Sequence, residues 1–232
     1  MIKAVIFDMD GLMFDTESLY NTAWVHAGRQ FGHVIKPEDL NPMRGVNQTL
    51  VQELFLKRFG PEFDFTKIRQ RRIEYTEQYI KENGLPHKPG LLELLKFLRE
   101  KGYQTAIATS THENMAGQYL KMERLTDSFD VCVYGNMAAK SKPDPEIYLK
   151  AVKELGRVPE ECLVLEDSPN GILSGFQAGC PVIMIPDGIE PGAEERQRTV
   201  KILPSLKQVI PYLEEYRSDP AYLRFLNRKS AE

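Results

Sequence analysis

Apolar residues follow two alternating rhythms along this chain. Short, nearly unbroken apolar runs lie at Lys3–Phe7, Thr105–Thr109, Val131–Tyr134, Leu163–Leu165 and Val182–Ile185, with a weaker one at Val200–Leu203. Runs of this length without polar alternation predict strands buried on both faces of a parallel sheet. Between them the spacing turns helical, over Leu91–Lys101, Asn114–Met122, Pro145–Leu155 and Asn170–Ala178. Strand and helix alternating from residue 89 onward predict a doubly wound α/β domain. Residues 17–84 break that rhythm with helical patterns at Ser18–Phe31, Thr49–Phe59 and Thr66–Glu82 and no convincing strand. The expected architecture is therefore an α/β core over 1–16 and 85–216, with an all-helical domain over 17–84 inserted after the first strand. Crossings are expected near Asp15–Glu17 and Asn83–Pro89. Pro204–Tyr216 predicts a last packing helix, and 217–232 a short helix or tail with no function assigned to it.

Composition narrows the picture without adding chemistry. A chain of 232 residues accommodates one large domain or a core with a smaller insert. Hydrophobic and charged contents of 42% and 27% are those of an ordinary soluble protein. A formal charge of -3 argues against nucleic acid as the main partner. No apolar stretch approaches the roughly 20 residues that span a bilayer, so no membrane partner is expected. The N-terminus lacks the basic-then-apolar layout of a signal peptide. Cys132, Cys162 and Cys180 have no metal-ligand spacing and apolar neighbours, which reads as reduced thiols in a cytosolic, cytoplasmic protein.

The chemistry begins where the first apolar run stops, in Phe7-Asp8-Met9-Asp10-Gly11-Leu12-Met13-Phe14-Asp15. Two like charges 4 Å apart repel by about 4 kcal/mol at an effective dielectric near 20, so paired acids at a strand end call for a compensating charge. A divalent cation, or a phosphoryl group with its metal, supplies it, and hard carboxylate oxygens suit Mg²⁺. In an open parallel sheet, ligands bind beyond the carboxyl ends of the strands. Three other segments carry suitable groups there. Thr109-Ser110-Thr111 offers hydroxyls and backbone N–H groups for phosphate oxygens, or simply a polar turn that caps a helix. Lys142, in Lys140-Ser141-Lys142-Pro143-Asp144-Pro145, offers a cation on a loop stiffened by proline. Glu166-Asp167 again ends an apolar strand on acids, either to complete a metal site or to cap the helix from Asn170.

Taken together, Asp8-Met9-Asp10-Gly11, Thr109, Lys142-Pro143-Asp144 and Glu166-Asp167 resemble the four motifs of the haloacid dehalogenase-like hydrolase superfamily. The helical insert is similar to that of its β-phosphoglucomutase-like and pseudouridine-5′-phosphatase-like phosphatase branch. The resemblance covers about residues 2–215. It implies a Rossmann-like core, a mobile helical cap, Mg²⁺, an aspartyl-phosphate intermediate and a small-molecule phosphate ester as substrate, in a monomer. It further implies Asp8 as nucleophile and Asp10 as acid and then base. The metal would be held by Asp8, the Asp10 backbone carbonyl and Asp167, with Glu166 acting through water. Thr109 and Lys142, with amides near Gly11 and Ser110, would take the phosphoryl oxygens. Glu17, Tyr20, Arg44 and Gln48 are the candidate substrate contacts from the helical insert.

Asp10 argues against dehalogenation, because family members that expel halide lack an acid at that position. A β-phosphoglucomutase-like sugar phosphomutase is the main alternative. Against it, Tyr20 stands where mutases of the branch carry histidine, and Asn47-Gln48 where they carry an arginine. A phosphate-dependent regulatory or binding module is the third reading, and it leaves the helical insert unexplained.

Overall fold

A computed structural model of the protein describes residues 1–43, 48–188 and 190–229. Among these, six parallel strands form one sheet: β1 (Ala4–Phe7), β2 (Gln104–Ala108), β3 (Val131–Val133), β4 (Cys162–Glu166), β5 (Val182–Met184) and β6 (Lys201–Ile202). Their order is β3-β2-β1-β4-β5-β6. The chain builds outward from β1 on one side and then returns to the other, so the switch point lies between β1 and β4, where doubly wound sheets bind ligands. Val5, Ile6 and Phe7 have no exposed surface, and each such side chain contributes about 1.5–3 kcal/mol by its burial. The doubly wound α/β expectation holds.

The chain divides into two compact units, Met1–Phe14 with Pro86–Glu232, and Asp15–Leu85. The second is wholly helical among its described residues: α1 (Thr16–Gln30), α2 (Pro37–Leu40), α3 (Gln48–Phe59) and α4 (Phe65–Asn83). Trp24, Phe55, Phe63 and Phe65 form its core, with the Phe55 and Phe63 rings stacked 4.9 Å apart. Arg72 does not join Arg71 and Glu74 on a solvated face. Its guanidinium lies 4.7 Å over the Tyr20 ring and 5.5 Å over Trp24, an attraction that also covers apolar surface.

In the first unit, α5 (Leu91–Glu100), α6 (Glu113–Met122), α7 (Glu146–Glu154), α8 (Pro169–Gln177) and α9 (Ala193–Arg198) connect the strands. Ile147, Tyr148, Ala151 and Val152 of α7 and Ile172 of α8 pack with Ile6, Ala106 and Val164 into one cluster. The segment expected to be a single helix over 204–216 is divided, with a 3₁₀ turn at Leu206–Gln208 before α10 (Val209–Glu215). Pro211 lacks the N–H that an interior helix position must donate, so the α-helix begins where that proline falls in its first turn. The tail forms α11 (Pro220–Lys229). No helix among the described residues is long and apolar enough to cross a membrane.

Candidate active site

Strand register sets the first contact. Phe7 pairs with Leu165, and Asp8 continues the ladder by donating its N–H to the Leu165 carbonyl at 3.1 Å. Asp8 therefore stands beside Glu166, the last residue of β4. Both are buried. The Lys142 ammonium enters between them, 2.6 Å from Asp8 Oδ1 and 2.7 Å from Glu166 Oε1. Its side chain is 7% exposed, so the arrangement is a buried ion triad whose desolvation is offset only by close pairing and full hydrogen bonding.

The lysine loop is fixed from several sides. Glu146 accepts from the N–H groups of Ala139 and Lys140, both at 3.0 Å. Asp144 Oδ1 accepts from Glu146 N at 3.0 Å, and Ser174 donates its hydroxyl to the Asp144 carbonyl at 2.7 Å. The Lys142–Pro143 peptide is cis. From α7 the Tyr148 hydroxyl donates to Glu166 Oε1 at 2.8 Å and lies 3.0 Å from the Lys142 nitrogen. Glu166 Oε2 takes the N–H of Asp167 at 2.9 Å, and the N–H and hydroxyl of Ser168 at 3.0 Å each. Both oxygens of Glu166 are thus committed to protein donors.

Asp10 receives the Thr111 hydroxyl on Oδ2 at 2.6 Å, which ties the first motif to the loop after β2. In that loop Thr109 is buried, and its hydroxyl oxygen accepts from Thr111 N at 3.0 Å. Ser110 is exposed. Gly11 has φ +80°, and a Cβ there would lie 2.3 Å from Asp167 Oδ2; only glycine meets both demands. At Gly171 a Cβ would lie 1.7 Å from Glu166 Oε1, so the helix after the second acidic motif must leave that space empty.

Carboxylate oxygens of Asp8, Glu166 and Asp167 lie within 4.8 Å of one another. Burial pushes the Asp8 carboxyl up to about 7, against the pull of Lys142. Burial, then the charges of Glu166 and Asp8, push Asp167 well above the usual carboxylate range. Glu166 also pays for burial, but the Lys142 charge and its hydrogen bonds hold it below its ordinary value. One ammonium faces this group of acids, so its anionic form is short of positive charge. Hard oxygen donors in that condition fit a divalent cation.

The structure thus brings Asp8, Lys142 and Glu166 into direct contact, sets Asp167 against Gly11, and joins Asp10 to the Thr109–Thr111 loop. Glu17 and Tyr20 lie in the first turns of α1, in the helical unit. Arg44 falls outside the described residues, and Gln48 begins α3 with its side chain likewise outside them. Tyr148 and the Thr111–Asp10 bond were not singled out by sequence. Thr111 was visible as part of a polar strand end, whereas Tyr148 occupies an apolar helix position that reads as core.

A family model described as haloacid dehalogenase-like hydrolase matches residues 5–185. A phosphorylated carbohydrates phosphatase of Thermotoga maritima is 35% identical over 225 residues, covering 90% of this chain and 100% of that protein. Hexitol phosphatase A of Escherichia coli is 32% identical over 185 residues, 79% of this chain and 82% of its own. Among solved structures, a Thermotoga maritima protein provisionally named beta-phosphoglucomutase superposes with TM-score 0.79 at 29% identity, covering 92% of this chain and 99% of that one. With the four strand-end motifs in place and a family match running from β1 to the end of β5, the chain belongs to the haloacid dehalogenase-like hydrolase family.

Proposed function

We propose that this protein is a Mg²⁺-dependent phosphatase of small phosphorylated carbohydrates that works through an aspartyl-phosphate at Asp8. The observation that carries the reading is the Lys142 ammonium bonded at once to Asp8 and Glu166, a cation held where a phosphoryl group attacked by Asp8 would place its oxygens. The names of the two phosphatase relatives support the substrate class.

In the first step an Asp8 carboxylate oxygen attacks phosphorus, forming the acyl-phosphate bond as the ester P–O bond breaks. Asp10, oriented by Thr111, gives its proton to the departing alkoxide. In the second step Asp10 takes a proton from water, whose oxygen attacks phosphorus and expels the Asp8 carboxylate, releasing inorganic phosphate. Lys142 and Thr109, with the amides of Gly11 and Ser110, take the phosphoryl oxygens. Asp8, the Asp10 carbonyl and Asp167 would hold the metal. Glu166 fixes Lys142 and the Asp167-Ser168 turn, and would reach a bound ion only through water. A divalent cation bound there supplies charge neutralisation for the incoming phosphate. The helical unit is the proposed cap and the seat of substrate choice, with Glu17, Tyr20, Arg44 and Gln48 as its candidate contacts.

The mutase reading is kept alive by the structural relative named beta-phosphoglucomutase. A screen of phosphate release over sugar, polyol and nucleoside monophosphates, with wild type beside Asp8→Asn, separates the two. Release by wild type alone, lost on chelation of Mg²⁺, is the expected result. Silence across the panel, with turnover of β-glucose 1-phosphate primed by a bisphosphate, would replace phosphatase with mutase.

A further inference from the structure

β5 ends at Met184, and three residues later the chain reaches Asp187, beyond the carboxyl end of the sheet that carries Asp8 and Asp167. Its counter-ion comes from a distant part of the sequence. Lys88 Nζ lies 2.9 Å from Asp187 Oδ1, with the two side chains 15% and 12% exposed. Lys88 is itself anchored, because its backbone N–H donates to the Met13 carbonyl at 2.9 Å, in the loop that follows the two aspartates. The other carboxylate oxygen lies on the Gly11 side. A Cβ on Gly11 would stand 3.3 Å from Asp187 Oδ2 and 2.3 Å from Asp167 Oδ2. Two carboxylates from different strands therefore crowd one bare Cα in the loop that bears Asp10. The catalytic steps above use neither Lys88 nor Asp187.

We propose that Asp187 is a positioning residue for the divalent cation: Lys88 fixes one of its oxygens, and the other accepts hydrogen bonds from the water shell of the ion held by Asp167. The inference rests on the metal-dependent reading above. Mg²⁺ keeps several waters when it binds protein, and the acceptors that orient such outer contacts change metal affinity about 10- to 100-fold when they are removed. An ion pair that merely tied the entry of α5 to the loop after β5 would depend equally on both partners. The positioning role instead gives the partners opposite signs. Asp187→Asn removes an anion and weakens the site. Lys88→Met leaves that anion in place without its counter-charge, so the site becomes more negative.

The test is direct titration of the full-length protein, without substrate, by Mg²⁺ in calorimetry and by Mn²⁺ in electron paramagnetic resonance. Asp187→Asn should raise Kd about 10- to 100-fold, while Lys88→Met should bind at least as tightly as wild type. Lys88→Gln serves if Lys88→Met does not fold, and thermal midpoints of the metal-free variants report that they do. Equal weakening in both variants, or an Asp187→Asn Kd within about twofold of wild type, a range small beside the expected loss, overturns the proposal. A wild type that binds neither ion overturns the metal-dependent reading itself, a distinct outcome.

Discussion

Tyr148, with no exposed surface, donates its hydroxyl to Glu166 Oε1 at 2.8 Å, on the same oxygen that receives Lys142. The phenol thereby shares with the lysine the task of stabilising a fully buried anion. Burial, followed by the charge of Glu166, pushes the tyrosine's own ionisation well above its ordinary value, so it stays a donor throughout the working range. Tyr148→Phe keeps the ring and deletes this one bond. Hydrogen bonds to buried charged groups are worth about 1.5–3 kcal/mol, so chemical denaturation should report a loss of that size, with kcat reduced as Lys142 loses a neighbour. Unchanged stability would show that the lysine alone satisfies Glu166 Oε1.

Lys142→Met is expected to be more severe, because it leaves Asp8 and Glu166 buried side by side without a cation. Breaking a buried pair from one side costs about 3–5 kcal/mol, and loss of a preorganised donor to developing charge lowers turnover about 10²- to 10³-fold. Adding Mg²⁺ should recover part of the stability but not the turnover. Lys142→Arg should fail as well, since a planar fork cannot replace a compact ammonium set between two carboxylates and a phenol. Wild-type kcat in either variant would remove the lysine from the mechanism.

Asp8, Lys142 and Glu166 could be read from sequence because a parallel sheet gathers its strand ends, so an apolar run that stops on an acid already locates that acid. Tyr148 could not. Its spacing with Ile147, Ala151 and Val152 marks an apolar helix face, and hydrophobic periodicity does not register where a phenol's hydroxyl points. Lys88 and Asp187 were hidden for a related reason: their pairing spans nearly a hundred positions and exists only once β5 lies beside β4. In the helical unit the long amphipathic segments were legible, while the four-residue α2 is too short to show a period. Charge pattern alone likewise does not reveal the aromatic faces of Tyr20 and Trp24 beneath Arg72.

Gly171→Ala tests how tightly the second acidic motif is packed. The added carbon would lie 1.7 Å from Glu166 Oε1 and 1.9 Å from its carboxyl carbon, and a carboxylate held by five donors has no alternative rotamer that keeps them. Overpacking of this kind costs about 1–3 kcal/mol, and kcat should fall with it. Gly117→Ala is the matched control. A Cβ there meets nothing within 4 Å, so replacing a glycine inside α6 should stabilise by roughly 0.5–1 kcal/mol. Equal effects at the two positions in urea titrations would mean that the space at Gly171 is not reserved for Glu166.

Glu146 makes the lysine loop sensitive to acid. Its carboxyl is held down to about 2, first by the Lys150 hydrogen bond and then by the N–H groups of Ala139 and Lys140. A carboxylate with a lower pKa folded than unfolded binds fewer protons in the native state, so the stability it contributes rises with pH. That contribution is complete above the ordinary value of 4.5 and disappears as pH falls through about 2. The difference in thermal midpoint between wild type and Glu146→Gln should therefore be full near neutrality and shrink to nothing at the acid end. Amide exchange at Ala139 and Lys140 should quicken over the same interval in wild type, and be quick at every pH in the variant. A midpoint difference that persists undiminished at the acid end would mean that the carboxylate does not hold this loop, and that Lys142 is kept in place by its buried partners alone.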